Sequence, residues 1–233
     1  MLYLFARISQ FIGRQFYALC FFFRKKQAQK YDRAHRVNTE IQADDDFPEY
    51  VPVDTILFAK CMNSLDLHIQ NEVFADFGCG KGKAVLLAAQ YGFPKIIGLE
   101  YNSDLFNILS QNIRAIKHSS NIELICCDIK DYVFNDEITV IFLNDPFPYY
   151  RFCKFMLQVK ESYIRKKRRI YLIYINAKQD IVKCIIRSDI FKEYGYITEN
   201  TMLCPRCFGA HVFCTDTDID ICEVPNMGIS IRT

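Results

Sequence analysis

The chain has 233 residues, of which 51% are apolar and 24% are charged. This balance supports one sizeable hydrophobic core and excludes a disordered chain, so one globular domain is the expectation. The formal net charge of +2 gives no overall argument for a polyanionic partner, because such a partner requires an excess of basic residues.

Residues 1–30 are predicted to form an amphipathic helix with a narrow polar stripe, made by Arg7, Gln10, Arg14 and Tyr17. The uncharged runs are shorter than the ~20 residues that span a bilayer, and the flanking charges do not suit a signal peptide. Two interpretations are favoured. Residues 1–26 lie in the plane of the inner membrane surface, or the helix packs on the domain or on a partner. A short signal anchor ranks third.

The next segment, residues 31–52, is predicted to connect this helix to the main domain. Its second half, QADDDFPEYVP at 42–52, is polar and contains prolines, which predicts an irregular linker over the surface. The folded domain is expected to occupy residues 53–233 and to begin with a helix, because apolar residues then recur with helical spacing.

Beyond residue 72, short apolar runs alternate with amphipathic segments. The runs VFADF, KIIGLE, IELICCD, TVIFLND and RIYLIYI are apolar on both faces, as the strands of a parallel sheet covered on both sides must be. The predicted fold class is therefore α/β, doubly wound. Two later strand patterns, YGYITENTMLC and GAHVFCT, predict an antiparallel hairpin at the sheet edge.

A turn rich in glycine follows the first of these strands. Gly78, Gly80 and Gly82 alternate with other residues, and Asp76 precedes the first glycine by two positions. The spacing differs from the G-x-G-x-x-G of dinucleotide folds, and a P-loop ending is absent from the sequence. Glycine lets the backbone approach a ligand, and a carboxylate can orient a cationic ammonium group.

Acidic residues also end the next two predicted strands, Glu100 in KIIGLE and Asp128 in IELICCD. The carboxyl ends of parallel strands meet at one edge of a sheet, so Asp76, Glu100 and Asp128 are expected to line one crevice. A carboxylate in the second of these positions can accept hydrogen bonds from both ribose hydroxyls of an adenosine.

This D-x-G-x-G-x-G turn, with the acids that follow it, resembles the first motifs of class I S-adenosylmethionine-dependent methyltransferases. Upstream, YDRAHRVNTE at 31–40 resembles the Phe-Asp-Arg-Arg-x-Gly-Val-Asp-Thr segment of a group of bacterial class I methyltransferases. Arg36 replaces the glycine of that segment, and Asn38 replaces its aspartate. The resemblance covers residues 31–195 and implies a Rossmann-like methyltransferase domain.

The resemblance implies S-adenosylmethionine as the cofactor and a methyl transfer that needs no metal. It also implies that Glu100 holds the ribose, that Asp128 holds the adenine amino group and that Ile129 flanks the base. The full set of implied cofactor residues is Asp76, Phe77, Gly78, Cys79, Gly80, Gly82, Glu100, Tyr101, Asp128 and Ile129.

The fourth strand ends in Asn144-Asp145-Pro146-Phe147, which resembles the Asn/Asp-Pro-Pro-Tyr/Phe motif of amino-methylating enzymes. In that motif a side-chain oxygen and a backbone carbonyl accept hydrogen bonds from the target amino group and align its lone pair with the methyl group. Asp145 stands where the first proline is expected. A shorter Asn-Pro-Phe alignment places Asp145 on the asparagine instead, so either Asn144 or Asp145 faces the substrate.

Three functions fit these motifs. We favour N-methylation of a protein amine such as a lysine side chain, because protein lysine methyltransferases outside the SET class share this crevice. The enzymatic alternative is a nucleic-acid adenine methyltransferase, for which the sequence shows no obvious target-recognition domain. The alternative from another class is a non-catalytic, membrane-associated binding protein that keeps the fold.

Two clusters and the cysteine usage complete the predictions. Cys204, Cys207, His211 and Cys214 are chemically able to hold zinc, but they also fit a hairpin with buried thiols. The basic run IRKKRRI at 164–170 can contact phosphates, although the solvated end of a helix is favoured. The odd count of 11 cysteines predicts a reducing, cytoplasmic compartment, with these five as small hydrophobes: Cys79, Cys126, Cys127, Cys153 and Cys184.

Overall fold

The computed structural model describes residues 25–26, 28–40, 42–44, 47–116, 119–198, 209–215 and 229–230. The predicted N-terminal helix falls almost entirely outside the described residues, and its contact with a membrane stays a prediction. Within the described ranges, no helix combines the length and the apolar character needed to cross a membrane.

Between residues 55 and 214, strands and helices follow one another in the predicted order. The strands are β1 (Gln42–Asp44), β2 (Phe47–Tyr50), β3 (Val73–Phe77), β4 (Lys95–Glu100), β5 (Ile122–Cys126), β6 (Val140–Asn144), β7 (Tyr171–Ile175), β8 (Lys192–Thr198), β9 (Gly209–Cys214) and β10 (Ile229–Ser230). The helices are α1 (28–35), α2 (Thr55–Asn63), α3 (Lys83–Tyr91), α4 (Ser103–Ala115), α5 (Tyr149–Arg165) and α6 (Gln179–Ile186).

The main sheet has the order β10-β8-β9-β7-β6-β3-β4-β5. Strands β5, β4, β3, β6 and β7 pair in parallel, whereas β9 runs antiparallel to β7 and to β8. This confirms the predicted α/β, doubly wound, Rossmann-like sheet with antiparallel C-terminal strands. The hairpin is not wholly at the edge as predicted, because β9 lies between β7 and β8.

Helices cover both faces of the sheet and form two apolar cores. On one face α2, α3 and α4 pack on β3 and β6, with Phe58 in ring contact with Phe74 and Phe142. On the other face α5 and α6 pack on Ile141 and Leu143. Strands β6 and β7 are therefore buried almost throughout, as their continuous apolar runs predict.

The edge strand β5 departs from that pattern, since each of its residues is half-buried or exposed. Cys126 is exposed, and Cys127, Cys153 and Cys184 are half-buried, so the prediction of five buried thiols is correct only for Cys79. An apolar run predicts a strand, but its position in the sheet order decides how much of the strand is covered.

The segment 28–40 forms a compact unit before the main domain. The Asp32 carboxylate accepts two hydrogen bonds from Thr39, one from the backbone amide at 2.6 Å and one from the hydroxyl at 2.5 Å. Both residues are buried. Arg36 has a φ of +58°, a conformation that favours glycine, the residue that the similar bacterial segment has at this position.

Residues 42–50 form regular structure where we predicted an irregular linker. Strands β1 and β2 pair antiparallel, with Gln42 opposite Tyr50. The predicted linker therefore contributes a small separate sheet, and its last residues reach the main domain.

The basic run at 164–170 ends α5 and enters the loop before β7. Arg165 pairs with Asp136 at 2.8 Å, and Lys166 pairs with Glu137 at 2.6 Å. Arg168 donates to the Ile138 carbonyl at 2.8 Å. These contacts agree with the helix-end interpretation and hold the end of α5 against the loop before β6.

We expect Arg36→Gly to stabilise the protein by about 1 kcal/mol, because glycine removes the left-handed strain of an exposed arginine. Thermal unfolding should show a rise in melting temperature of roughly 2–4 °C. The matched control, Arg33→Gly in the helix α1, should lower it, since glycine is unfavourable within a helix. A lower melting temperature for Arg36→Gly would contradict this account.

Candidate active site

The crevice of the sheet lies where the direction of winding reverses. From β3 the chain winds outward to β4 and β5, then returns to place β6 on the other side of β3. Ligands of doubly wound folds bind at the carboxyl ends of such strands. A pocket there brings together nine of the predicted site residues: Asp76, Gly78, Cys79, Gly80, Glu100, Tyr101, Asn144, Asp145 and Pro146.

Glu100 ends β4 and joins two loops of the pocket. Its Oε2 accepts a hydrogen bond from the Gly80 amide at 2.8 Å, and its Oε1 accepts one from the Asn102 amide at 2.9 Å. Burial raises the pKa of this carboxyl, and the amide donors oppose that shift. Each carboxylate oxygen can accept more than one bond, so the pair can still receive two hydroxyl donors.

Asp76 lies deep in the same pocket, near the end of β3. Only 4% of its surface is exposed. Burial, with a smaller contribution from Glu100, raises the pKa of Asp76 well above its usual range. Two adjacent buried acids favour a ligand that carries positive charge, because such a ligand stabilises their ionised forms.

The three glycines of the turn all have positive φ, between +54° at Gly80 and +85° at Gly82. A Cβ at Gly78 would meet Pro146, one at Gly80 would meet the ring of Tyr50, and one at Gly82 would meet Leu109. Because these glycines lack a Cβ, other side chains of this protein can pack directly on the turn. A ligand can approach only the part of the turn that these side chains leave uncovered.

A second pocket adjoins the first and contains three more of the predicted residues, Asp128, Ile129 and Phe147, together with Gly78 and Asp145. Asp128 forms an ion pair from Oδ2 to Arg151 Nη1 at 2.9 Å, and its Oδ1 accepts a hydrogen bond from the Lys130 amide at 3.1 Å. The acid predicted to meet an adenine thus already has a cationic neighbour.

Two predicted cofactor residues, Phe77 and Gly82, line neither pocket. The Phe77 side chain is fully buried in the second core, in ring contact with Tyr132 and Phe155. Gly82 is the N-terminal cap of α3 and packs against Leu109. Both residues therefore support the glycine turn from the side of the protein core.

Asn144 and Asp145 differ in what their side chains contact. The Asn144 amide nitrogen donates to the Val51 carbonyl at 2.8 Å, which ties the end of β6 to the chain after β2. Asp145 has a φ of +48°. Proline is fixed near −65° and cannot take that conformation, so the backbone fits the shorter alignment, in which Asp145 occupies the asparagine position.

Two side chains that the sequence analysis missed hold the Asp145 carboxylate. Tyr174 donates from its hydroxyl to Oδ1 at 3.1 Å, and Lys178 lies 3.7 Å from Oδ2. The Tyr174 ring is fully buried, and its burial raises the pKa of its hydroxyl. Tyr174 therefore remains a proton donor, and no sequence motif marks it.

Three other residues of the site also escaped the sequence analysis. Tyr50 and Lys83 line the pocket. Buried Asn112 donates to the carbonyls of Asn38 and Lys81, both at 2.8 Å, and so fastens the segment 28–40 to the glycine turn. Lys83 directly follows the third glycine and could have been found there.

The zinc hypothesis stays untested as a whole, because Cys204 and Cys207 lie outside the described residues. His211 is in β9, where its Nδ1 lies 3.0 Å from Glu193 Oε1. In the described ranges, no group of three or more potential ligands gathers to hold a metal.

A strand order of this kind, with acids at three successive strand ends and a glycine turn, defines a class I methyltransferase. Residues 68–212 match a family model described as "Methyltransferase domain". Because the match covers more than half of the chain, the protein belongs to this methyltransferase family.

The solved structures that resemble this one agree. A SAM-dependent methyltransferase from Aquifex aeolicus superposes with a TM-score of 0.53 at 14% identity, over 68% of this chain and 89% of that one. The geranyl diphosphate C-methyltransferase from Streptomyces coelicolor A3(2), solved with S-adenosyl-L-homocysteine, has a TM-score of 0.52 at 10% identity, over 70% and 77%. At these identities the likeness shows the fold.

A curated relative is similar over a shorter stretch. The tRNA1(Val) (adenine(37)-N6)-methyltransferase of Shewanella halifaxensis is 38% identical over 64 residues, which is 28% of this chain and 26% of that protein. The chain thus matches about a quarter of the length of that relative.

Taken together, these findings identify the protein as an S-adenosylmethionine-dependent methyltransferase. The site fits the cofactor, because buried Asp76 and Glu100 suit its ammonium and ribose groups and both pockets meet at Gly78.

We expect the ligand-free Asp76→Asn variant to become increasingly more stable than the wild type as the pH rises from 5 to 8. The raised pKa means that the folded state binds more protons than the unfolded state, so wild-type stability falls with pH up to that pKa, by at most about 1.4 kcal/mol per unit. The asparagine variant has no carboxyl at this position, so its stability lacks this pH-dependent loss. Urea denaturation at several pH values measures the difference.

The same variant should lose most of its affinity for S-adenosylmethionine, since it cannot offer a carboxylate to the ammonium group. A stability difference that does not change with pH would contradict the raised pKa of Asp76.

Proposed function

We propose that this protein transfers the methyl group of S-adenosylmethionine to the exocyclic amino nitrogen of adenine in RNA. The observation that carries the proposal is the charge balance at the acceptor end of the crevice. Asp145 lies beside Lys178 at 3.7 Å, and Asp128 pairs with Arg151 at 2.9 Å. The pocket therefore has no excess of negative charge.

This balance disfavours a charged acceptor. A lysine side chain enters as an ammonium ion, and it would meet Lys178, Arg151 and the positive sulfonium of the cofactor. The amino group of adenine is neutral and pays no such penalty. The protein amine that the sequence favoured stays a prediction, and the experiment below tests it as well.

Aromatic side chains at the mouth of the pocket support a base as the acceptor. Tyr101 is 51% exposed and Tyr150 is 60% exposed, and both line the pocket that contains Asp145. Exposed aromatic rings provide stacking surfaces for an unpaired base, which must leave its stack to reach the methyl group. The adenine named in the curated relative is consistent with this acceptor class.

In the proposed mechanism the Asp145 carboxylate accepts a hydrogen bond from the adenine amino group. This bond orients the nitrogen lone pair toward the methyl carbon, and the carboxylate receives the proton that the nitrogen loses after transfer. Tyr174 holds one carboxylate oxygen in place. The bound cofactor supplies a methyl group that its sulfonium makes electrophilic.

The deciding experiment incubates the purified full chain with methyl-labelled S-adenosylmethionine and either total RNA or a protein extract from the same cells. We expect label in RNA, released by nuclease and recovered as N6-methyladenosine after digestion to nucleosides. Label that enters only protein, and is recovered as methyllysine, would overturn the proposal in favour of the protein amine.

We expect Asp145→Ala to lower kcat by about a hundredfold or more, because it removes the acceptor of the amino hydrogen bond. Its Kd for S-adenosylmethionine should stay within about twofold, as titration calorimetry would show. The matched variant Asn144→Ala loses the contact with Val51 and should mainly weaken cofactor binding. The reverse pattern would assign the substrate contact to Asn144.

A further inference from the structure

The buried side chain of Lys83 has no role in the mechanism above. It is the first residue of α3, and 2% of its surface is exposed. Its Nζ is one of three buried polar side-chain atoms without a hydrogen-bond partner in the part of the chain that the structure describes. An ammonium group is costly to bury without an acceptor, so the site should provide one when a ligand binds.

A second such atom lies in the same pocket. The Tyr50 hydroxyl is also buried and donates to no acceptor among the described residues, although the Lys83 backbone amide approaches its oxygen. Both side chains line the pocket that contains Asp76 and Glu100. Lys83 Nζ lies 2.9 Å from the centroid of the Tyr31 ring, whose face stabilises the cation where it stands. An ammonium and a phenol carried by two side chains that line one cavity at a helix N-terminus are donors suited to a carboxylate.

The charges of the pocket specify which carboxylate. Asp76, Glu100 and Asp145 are its acidic residues, and Lys83 is the one cationic residue among the described residues that line it. The amino-acid end of the cofactor carries an ammonium and a carboxylate on the same carbon. A site that holds the ammonium with an acid therefore needs a cation nearby for the carboxylate.

We propose that Lys83 Nζ and the Tyr50 hydroxyl bind the methionine carboxylate of S-adenosylmethionine. The inference rests on the identity of the cofactor and is independent of the acceptor. In the free protein, burial lowers the pKa of Lys83 to about 7. A bound carboxylate favours the charged form, so the cofactor itself completes the ion pair.

The test compares two ligands by titration calorimetry on the full chain. S-adenosylmethionine carries the carboxylate, and decarboxylated S-adenosylmethionine lacks it. We expect the wild type to bind S-adenosylmethionine at least about tenfold more tightly, which is the usual size of a charge-assisted hydrogen bond. Lys83→Met should remove this preference, with affinity for the decarboxylated ligand unchanged or increased, and Lys83→Arg should keep most of it.

Lys81→Met is the matched control. Lys81 is equally buried in the same turn, but its Nζ already donates to the Glu40 carbonyl at 3.0 Å. This variant should keep the preference of the wild type. If thermal unfolding shows that Lys83→Met is not folded, the comparison uses Tyr50→Phe and Lys83→Arg instead. Tyr50→Phe should then reduce the preference for S-adenosylmethionine several-fold.

Two results would overturn the proposal. If Lys83→Met weakens both ligands by the same factor, the lysine supports the fold and does not touch the carboxylate. If the wild type binds both ligands equally, the carboxylate has no specific partner. Neither result depends on methyl transfer, so both are distinct from a failure of the RNA proposal.

Discussion

The site depends on the carboxylate of Glu100, which two backbone amides hold in place. The amide of Gly80 belongs to the glycine turn after β3, and the amide of Asn102 begins α4 after β4. This buried side chain acts together with the Leu99 carbonyl, which accepts hydrogen bonds from the amides of Gly78 and Cys79 at 2.8 and 3.0 Å. These contacts fix the two loops that the cofactor must bridge, and preorganised binding requires such fixed loops.

Much of the fold could be predicted because it depends on local patterns. Continuous apolar runs gave the parallel strands, and the acids Asp76, Glu100 and Asp128 came at their ends in the sequence. The sheet order, however, depends on which strands pair over long distances. That order explains why Cys126 is exposed. The apolar run IELICCD predicts a strand covered on both faces, but this run forms β5 at the edge of the sheet.

The site could be predicted where a short sequence motif specifies the local backbone geometry. It could not be predicted where the contacting residues are far apart in the sequence. The glycine turn belongs to the first kind. Tyr174 reaches Asp145 across 29 positions, and the Tyr50 ring lies on Gly80 from a segment that appeared to be a linker. Hydrophobic periodicity contains no information about such pairs. The positive φ of Asp145 favours the shorter alignment of the acceptor motif, and residue names do not specify such a backbone angle.

The end of β2 touches both halves of the site. Tyr50 lies on Gly80 of the cofactor turn, and the next carbonyl, that of Val51, accepts a hydrogen bond from Asn144 of the acceptor turn. A displacement of this short stretch would therefore disturb both turns at once. The cofactor half and the acceptor half of the site share one structural support, so a substitution in this stretch should affect both halves.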